Sequence, residues 1–251
     1  MKQANPSVAV VIPVYQATLN DNEKRSLQQC VRVLGKYPIW LVKPESLSGD
    51  FILNEYPAIK AISFEDRFFK STQSYNELLI SIDFYRRFQN YDYILIYQPD
   101  AYVFRDELTE WCKKGYDYIG APSLHQEEFD SLVSGSIFSE ALSSSRIVYN
   151  GGLSLRKVSA VIRYLKIYNF FYSGWKGNED MLFSQEATRL LPMKLFLKVP
   201  PWQEALTFSF EKSPAASYEL TAGQLPFACH AWERYDPAFW AKYIPQAGEI
   251  L

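Results

Sequence analysis

The sequence predicts an α/β protein with a mostly parallel central sheet flanked by helices. Val8 to Val14 (VAVVIPV) is an unbroken, β-branched run, the composition of a strand covered on both faces. Leu27, Cys30, Val31 and Leu34 follow at helical spacing, and Ile39 to Val42 is a second short apolar run. Tyr93 to Tyr97 (YILIY) repeats the buried-strand composition after another helical stretch. Strands of this kind alternating with helices pair in parallel through right-handed crossovers.

Taken in order, Asn20 to Lys36 is the first helix, with Asn or Asp available as N-cap and Gly35 placed to end it. Pro44 stops the second strand, and Ile59 to Phe64 is a third. Ser74-Tyr75-Asn76-Glu77 matches a capping box, and Tyr75, Leu78, Leu79, Ile82, Tyr85 and Phe88 extend one helix to about Asn90. Gln98-Pro99 closes the Tyr93–Tyr97 strand, because proline lacks the ladder N–H. Asp106 to Lys114 reads as a short helix capped by Gly115, and Tyr116 to Gly120 as a strand. Periodicity is lost from Ser123 to Tyr149, which predicts a long loop; His125 within it receives no role. A helix carrying Val158, Val161, Ile162 and Leu165 follows, and Asn178-Glu179-Asp180 opens another. With no internal repeat or low-complexity linker, residues 1–251 read as a single domain. Its halves are a nucleotide-binding part at 1–122 and an acceptor and catalytic part at 123–251, with the loop at 123–149.

Hydrophobic residues make up 48% and charged residues 22%, which excludes a disordered chain. A formal net charge of -2 gives no electrostatic case for nucleic acid. Cys30, Cys112 and Cys229 lie far apart and outside any metal spacing, so they read as reduced, buried thiols of a cytoplasmic protein. No apolar run reaches the length of a membrane span and none precedes the first strand, so neither a span nor a signal peptide is expected, while peripheral membrane association is compatible with this pattern.

Four features bear on chemistry. Asp100 follows the Tyr93–Tyr97 strand at its C-terminal end, where open α/β sheets bind ligands; an Asp in an ordinary turn is the alternative. Asn150-Gly151-Gly152 reads either as a close approach of backbone to ligand or as a tight turn. Glu179 and Asp180 are neighbours at a helix start, favoured there by the helix dipole, and one of them is a candidate proton acceptor. His230 stands in an aromatic segment, as a structural residue or as a metal ligand with Asp100.

Six segments in order carry a resemblance: PVY (Pro13–Tyr15), IYQPDAYVF (Ile96–Phe104), DYIGAP (Asp117–Pro122), NGGLSLRK (Asn150–Lys157), NED (Asn178–Asp180) and CHAW (Cys229–Trp232). Together they resemble GT-A-fold glycosyltransferases, and more closely an uncharacterised bacterial and fungal domain family grouped with them. The resemblance implies a Rossmann-like GT-A domain that moves a sugar from a nucleotide-sugar donor to a carbohydrate or other hydroxyl acceptor. It implies an Asp-x-Asp element that holds Mn2+ or Mg2+; here Gln98-Pro99-Asp100 occupies that place and keeps the second acid alone. Asp100 and His230 would hold the metal, with Arg156 a substitute positive charge. Pro13, Val14 and Tyr15 would contact the nucleotide base, and Asn150, Gly151 and Gly152 would line the donor sugar or the acceptor. Asp180, paired with Glu179, would be the base of an inverting reaction, and Trp175 and Trp232 would be sugar platforms or packing residues. A catalytically silent binding relative is the alternative. A phosphoesterase or nucleotidyl-transfer enzyme lacks both a P-loop and a two-metal carboxylate cluster here.

Overall fold

The computed structural model describes residues 5–124, 147–172, 174–189 and 192–245. Its strands are β1 (Val8–Pro13), β2 (Ile39–Pro44), β3 (Lys60–Phe64), β4 (Tyr93–Tyr97), β5 (Ala101–Val103), β6 (Tyr118–Pro122), β7 (Tyr149–Lys157), β8 (Ser209–Phe210) and β9 (Ala228–His230). Six of them form the main sheet in the order β3-β2-β1-β4-β7-β6. β1, β2, β3 and β4 are mutually parallel, whereas β7 runs antiparallel to both β4 and β6. Ala9, Val10, Ile94, Leu95 and Ile96 are fully buried, as continuous apolar runs at the centre of a doubly covered sheet must be. A small second sheet has the order β5-β9-β8 and stands at the end of β4. This is the α/β architecture with a mostly parallel sheet that the sequence predicts.

The helices named below are α1 (Asp21–Leu34), α2 (Asp50–Leu53), α3 (Thr72–Leu79), α4 (Ile82–Arg86), α5 (Leu108–Lys113), α6 (Val158–Phe171) and α7 (Glu179–Met181). α1 opens on a full capping box: Asn20 Oδ1 accepts the N–H groups of Asn22 and Glu23, and Glu23 accepts the N–H of Asn20. Ser26 and Gln29 on its inner face donate to the carbonyls of Ala101 and Val103, anchoring β5 to the helix. Gly115 ends α5 at φ +71, as a left-handed cap does.

Three expectations are corrected. The single helix expected from Ser74 to about Asn90 is two. Its cap is Ser71, which exchanges hydrogen bonds with Ser74, and Ser81 restarts the chain as α4 by accepting the N–H of Phe84. A serine hydroxyl in mid-helix competes for backbone groups and favours such a break. Asn150-Gly151-Gly152 is part of β7 and not a turn between strand and helix. The strand expected at Tyr116–Gly120 begins at Tyr118 and reaches Pro122, which pairs with Tyr149 across a bulge. Tyr149 therefore belongs to β7; residues 125–146 of the expected loop, His125 included, lie outside the described residues. Cys30, Cys112 and Cys229 are free and buried. No helix among the described residues is long and apolar enough to cross a membrane.

Gly120 is where β6 meets the start of β7. A Cβ there would stand 2.0 Å from the Asn150 carbonyl oxygen, which is backbone and cannot turn away. Gly120→Ala is expected to lower stability by about 1–3 kcal/mol through overpacking. Urea unfolding followed by circular dichroism measures this, and an unchanged midpoint would contradict the contact.

Candidate active site

The strand order reverses between β1 and β4, since β2 and β3 lie beyond β1 on one side and β7 and β6 beyond β4 on the other. Ligands of open α/β sheets bind outside the carboxyl ends of the strands at such a reversal. A cavity of about 480 Å³ lies there. Pro13 and Tyr15 after β1, and Gln98, Pro99 and Asp100 after β4, line one side. Lys70, Ser71, Thr72 and Tyr75, at the start of α3, line the other. Tyr15 is 60% exposed, a free ring face at the rim. Val14, read from the sequence with its two neighbours, turns its side chain into the core.

Asp100 is set by a tight turn. The Gln98 N–H donates to the Gly152 carbonyl at 2.9 Å, and the Ala101 N–H donates back to the Gln98 carbonyl at 2.9 Å. Pairing of β5 with β9 puts Ala101 opposite His230. The Ala231 N–H donates to the Asp100 carbonyl at 3.0 Å, and Ala231 is left-handed at φ 50. A non-glycine residue held there is strained by about 1 kcal/mol or more, a feature that clusters at functional sites.

Asp100 and His230 meet, as expected. His230 Nε2 is 3.1 Å from Asp100 Oδ1 and 3.1 Å from Gln98 Oε1. On its other side, Nδ1 is 3.3 Å from Glu211 Oε1. Burial opposes a charge on the ring, but Asp100, then Glu211, outweigh it and push the His230 pKa up to about 10. Burial likewise pushes Asp100 up, and the charge and hydrogen bond of His230 overcome it and hold the carboxyl below its usual range.

Asp100 Oδ1, Gln98 Oε1 and His230 Nε2 are oxygen and nitrogen donors of the kinds a divalent cation takes, and at 3.1 Å both oxygens stand within hydrogen-bonding distance of Nε2. A carboxylate behind the ligating imidazole is the usual outer partner. Among the described residues, no cluster of three or more acidic, His or Cys side chains could hold a metal, so the set depends on the neutral oxygen of Gln98. One carboxylate in place of two weakens the hold on Mg2+ or Mn2+, and a proton on Nε2 competes with the ion.

Arg156 does not face the cavity. It is fully buried behind β7, with its guanidinium 5.4 Å from the ring centre of Tyr118 and 5.5 Å from that of Phe183. Nε donates to Ser154 Oγ at 2.9 Å, and Nη1 to Tyr85 Oη at 2.9 Å. Nη2 donates to the Gly151 carbonyl at 3.2 Å and to Glu179 Oε1 at 2.8 Å. Expected at donor phosphate, Arg156 instead compensates a buried acid. Glu179, expected beside Asp180 as a catalytic acid, is likewise corrected: it is buried and its Oε1 is paired with Arg156.

Asp180 is less buried than its neighbour. One oxygen accepts the Met181 N–H at 2.7 Å. Burial first, then the Glu179 charge, push its pKa up to about 7, with Glu211 adding to the shift. Asn178 caps α7, and its side chain accepts from Asn76 of α3 at 3.0 Å, tying this turn to the helix that lines the cavity. Trp175 donates to the Asn178 carbonyl at 2.8 Å, and Trp232 is buried against Tyr102; both pack.

Gly151 and Gly152 are required by proximity. A Cβ on Gly151 would stand 1.9 Å from Glu179 Oε1, and one on Gly152 would stand 2.1 Å from His230 Nε2. Asn150 Oδ1 accepts the Gly152 N–H at 2.7 Å, and Nδ2 donates to Glu211 Oε1 at 2.8 Å. Sequence reasoning missed Glu211, Lys70 and the Ser71–Tyr75 wall. Glu211 has no motif around it; the capping pattern at the start of α3 was the one signal available for the wall.

The family described as "Protein of unknown function (DUF5672)" matches residues 58–230. No curated protein matches the chain by sequence. Among solved structures, mouse xyloside xylosyltransferase 1 in its apo form superposes with a TM-score of 0.52 at 12% identity, over 89% of this chain and 97% of that one. Galactosyltransferase LgtC, solved with donor and acceptor sugar analogs, gives 0.51 at 14% identity, over 93% and 92%. An active-site mutant of LgtC gives 0.53 at 13% identity, over 96% and 92%. At these identities the likeness is one of fold: the chain has the GT-A-like glycosyltransferase fold.

Breaking the Arg156–Glu179 pair leaves a buried charge unpaired. Glu179→Leu and Arg156→Met are each expected to cost about 3–5 kcal/mol. The double variant Arg156→Met/Glu179→Leu should recover most of that. Chemical denaturation of the three proteins checks this, and additive losses would show that the pair does not act as a unit.

Proposed function

The chain belongs to the DUF5672 family, and we propose that it is a nucleotide-sugar-dependent glycosyltransferase that acts with inversion on an acceptor hydroxyl. The observation that carries this reading is the cavity at the β1/β4 reversal, with Asp100 in its wall, His230 beside Asp100, and the weakly acidic Asp180 on the turn tied to α3. The GT-A-like fold supports it.

In this reading the nucleoside lies against Pro13 and Tyr15, and its diphosphate meets Lys70 and the N–H groups at the start of α3, where the helix dipole favours negative charge. Asp100, His230 and the Gln98 oxygen would hold Mn2+ or Mg2+. When bound, such an ion neutralises charge developing on the departing diphosphate. Asn150, Gly151 and Gly152 border the donor sugar with backbone and a single amide. Asp180 is the base: it takes the acceptor hydroxyl proton as that oxygen attacks the anomeric carbon. The bond from that carbon to the diphosphate oxygen breaks, and its electron pair leaves with the nucleotide. Glu179 does not compete for this role, because Arg156 neutralises it. It matters through its charge, which helps keep the Asp180 pKa near the working pH.

Nucleotide sugars screened by thermal shift, with and without Mn2+, should identify a stabilising donor, and transfer is then assayed with that donor. Asp180→Asn should keep the donor shift and lose about 10²–10⁴-fold in transfer, the usual worth of general-base catalysis. Transfer that survives this substitution would remove Asp180 from the role, and binding without turnover on any acceptor would favour a silent binding relative. Because the base works ionised and its pKa is raised to about 7, kcat should climb as pH rises through 7 and fall on the acid side. A rate flat from pH 5 to 8 would contradict the assignment, since roughly that interval brackets a group of this pKa.

A further inference from the structure

Glu211 follows β8, is nearly fully buried, and has no part in the reaction as described. A single oxygen of it, Oε1, receives Asn150 Nδ2 at 2.8 Å and faces His230 Nδ1 at 3.3 Å. Those groups sit on different strands: Asn150 near the start of β7, and His230 at the end of β9. The Asn150 amide is held at both ends, because its Oδ1 accepts the Gly152 N–H. The imidazole is held likewise: Nδ1 faces Glu211, and Nε2 faces Gln98 and Asp100.

A carboxylate has no proton to give, so both groups that reach Oε1 must donate. This requires a proton on Nδ1 and sets the plane of the ring. It also makes Nδ2 the amide atom of Asn150 that points at Glu211. We propose that Glu211 is a positioning residue that locks the orientations of Asn150 and His230 together, so that the sugar-side amide and the cation-side imidazole move as one unit. The proposal rests on the reading of this crevice as a donor site. It adds to that reading a residue that touches neither donor nor acceptor.

A merely structural Glu211 would fill space without holding a proton on Nδ1, so the test reads the ring itself. The full chain is labelled with 15N at histidine and asparagine, and H125N assigns the second histidine signal. Without metal, His230 in the wild type should show a proton-bearing Nδ1, and the Asn150 side-chain amide should exchange slowly. E211A should lose both signatures and weaken Mn2+ binding, titrated calorimetrically with the metal alone, by about 10–100-fold, as loss of an outer-shell partner does. E211Q keeps an oxygen in the same place and should restore the Nδ1–H signal and most of the Mn2+ affinity.

A wild-type His230 protonated at Nε2 with bare Nδ1 would overturn the proposal without any variant having to fold. So would a folded E211A whose His230 and Asn150 signals match those of the wild type. Absence of sugar transfer with every donor would instead count against the proposed activity and leave the ring measurement standing.

Discussion

Arg156 is a guanidinium without solvent, lodged between β7 and α7, and the crevice is positioned from it. A buried ion pair contributes little net stability, because desolvating both charges offsets their attraction. What Arg156 supplies is geometry. Its planar fork bonds the Gly151 carbonyl and the Glu179 carboxylate through the same nitrogen. Asn150 is the next residue on one side and Asp180 the next on the other, so the spacing between the Asn150 amide and the Asp180 carboxylate is tied to one rigid group. Tyr118 and Phe183 flank the guanidinium, and Tyr85 takes its remaining branch. A lysine, with one rotatable point charge, could not reproduce three directions at once.

The other half of the crevice is arranged by the small second sheet. β5 leaves β4 through the Gln98-Pro99-Asp100 turn, and its pairing with β9 returns His230 to Asp100. Ser26 and Gln29 hold the β5 carbonyls from below, so the turn does not depend on loop residues for its shape. The antiparallel β7 completes the arrangement. Its first residues lie beside the last residues of the parallel β4, so two chain directions present their functional ends at one rim.

The sheet was legible in the sequence because fully buried strands are written as uninterrupted β-branched and aromatic runs; Val8–Pro13 and Tyr93–Tyr97 are both of that kind. Asp100 and His230 were legible as a pair from the order of weak motifs, and the structure brings them together. The functions assigned to Glu179 and Arg156 failed for a shared physical reason: an acid and a base distant in sequence give no sign that each will neutralise the other inside the core. Gly151 and Gly152 suggested a turn because glycine marks positive φ and close approach alike, and only three-dimensional distances separate the two. Glu211 left no trace, since SFEKSP around it has neither period nor motif. Val14 shows the limit of reading a motif whole, because its side chain is buried in the core while Tyr15 beside it is exposed.

Gln98 and His230 are 132 positions apart, Asn76 and Asn178 are 102 apart, and Arg156 and Tyr85 are 71 apart. In polymer terms each contact closes a long loop, and closing one of the first size costs roughly 4 kcal/mol in chain entropy. No hydrogen bond at the crevice repays that alone, since each contributes about 1 kcal/mol net. The repayment comes from the apolar strands beneath, whose burial draws these distant segments together before any polar group meets its partner. The crevice is therefore a property of the assembled sheet, and no short stretch of the chain, however well its motifs match, carries the site by itself.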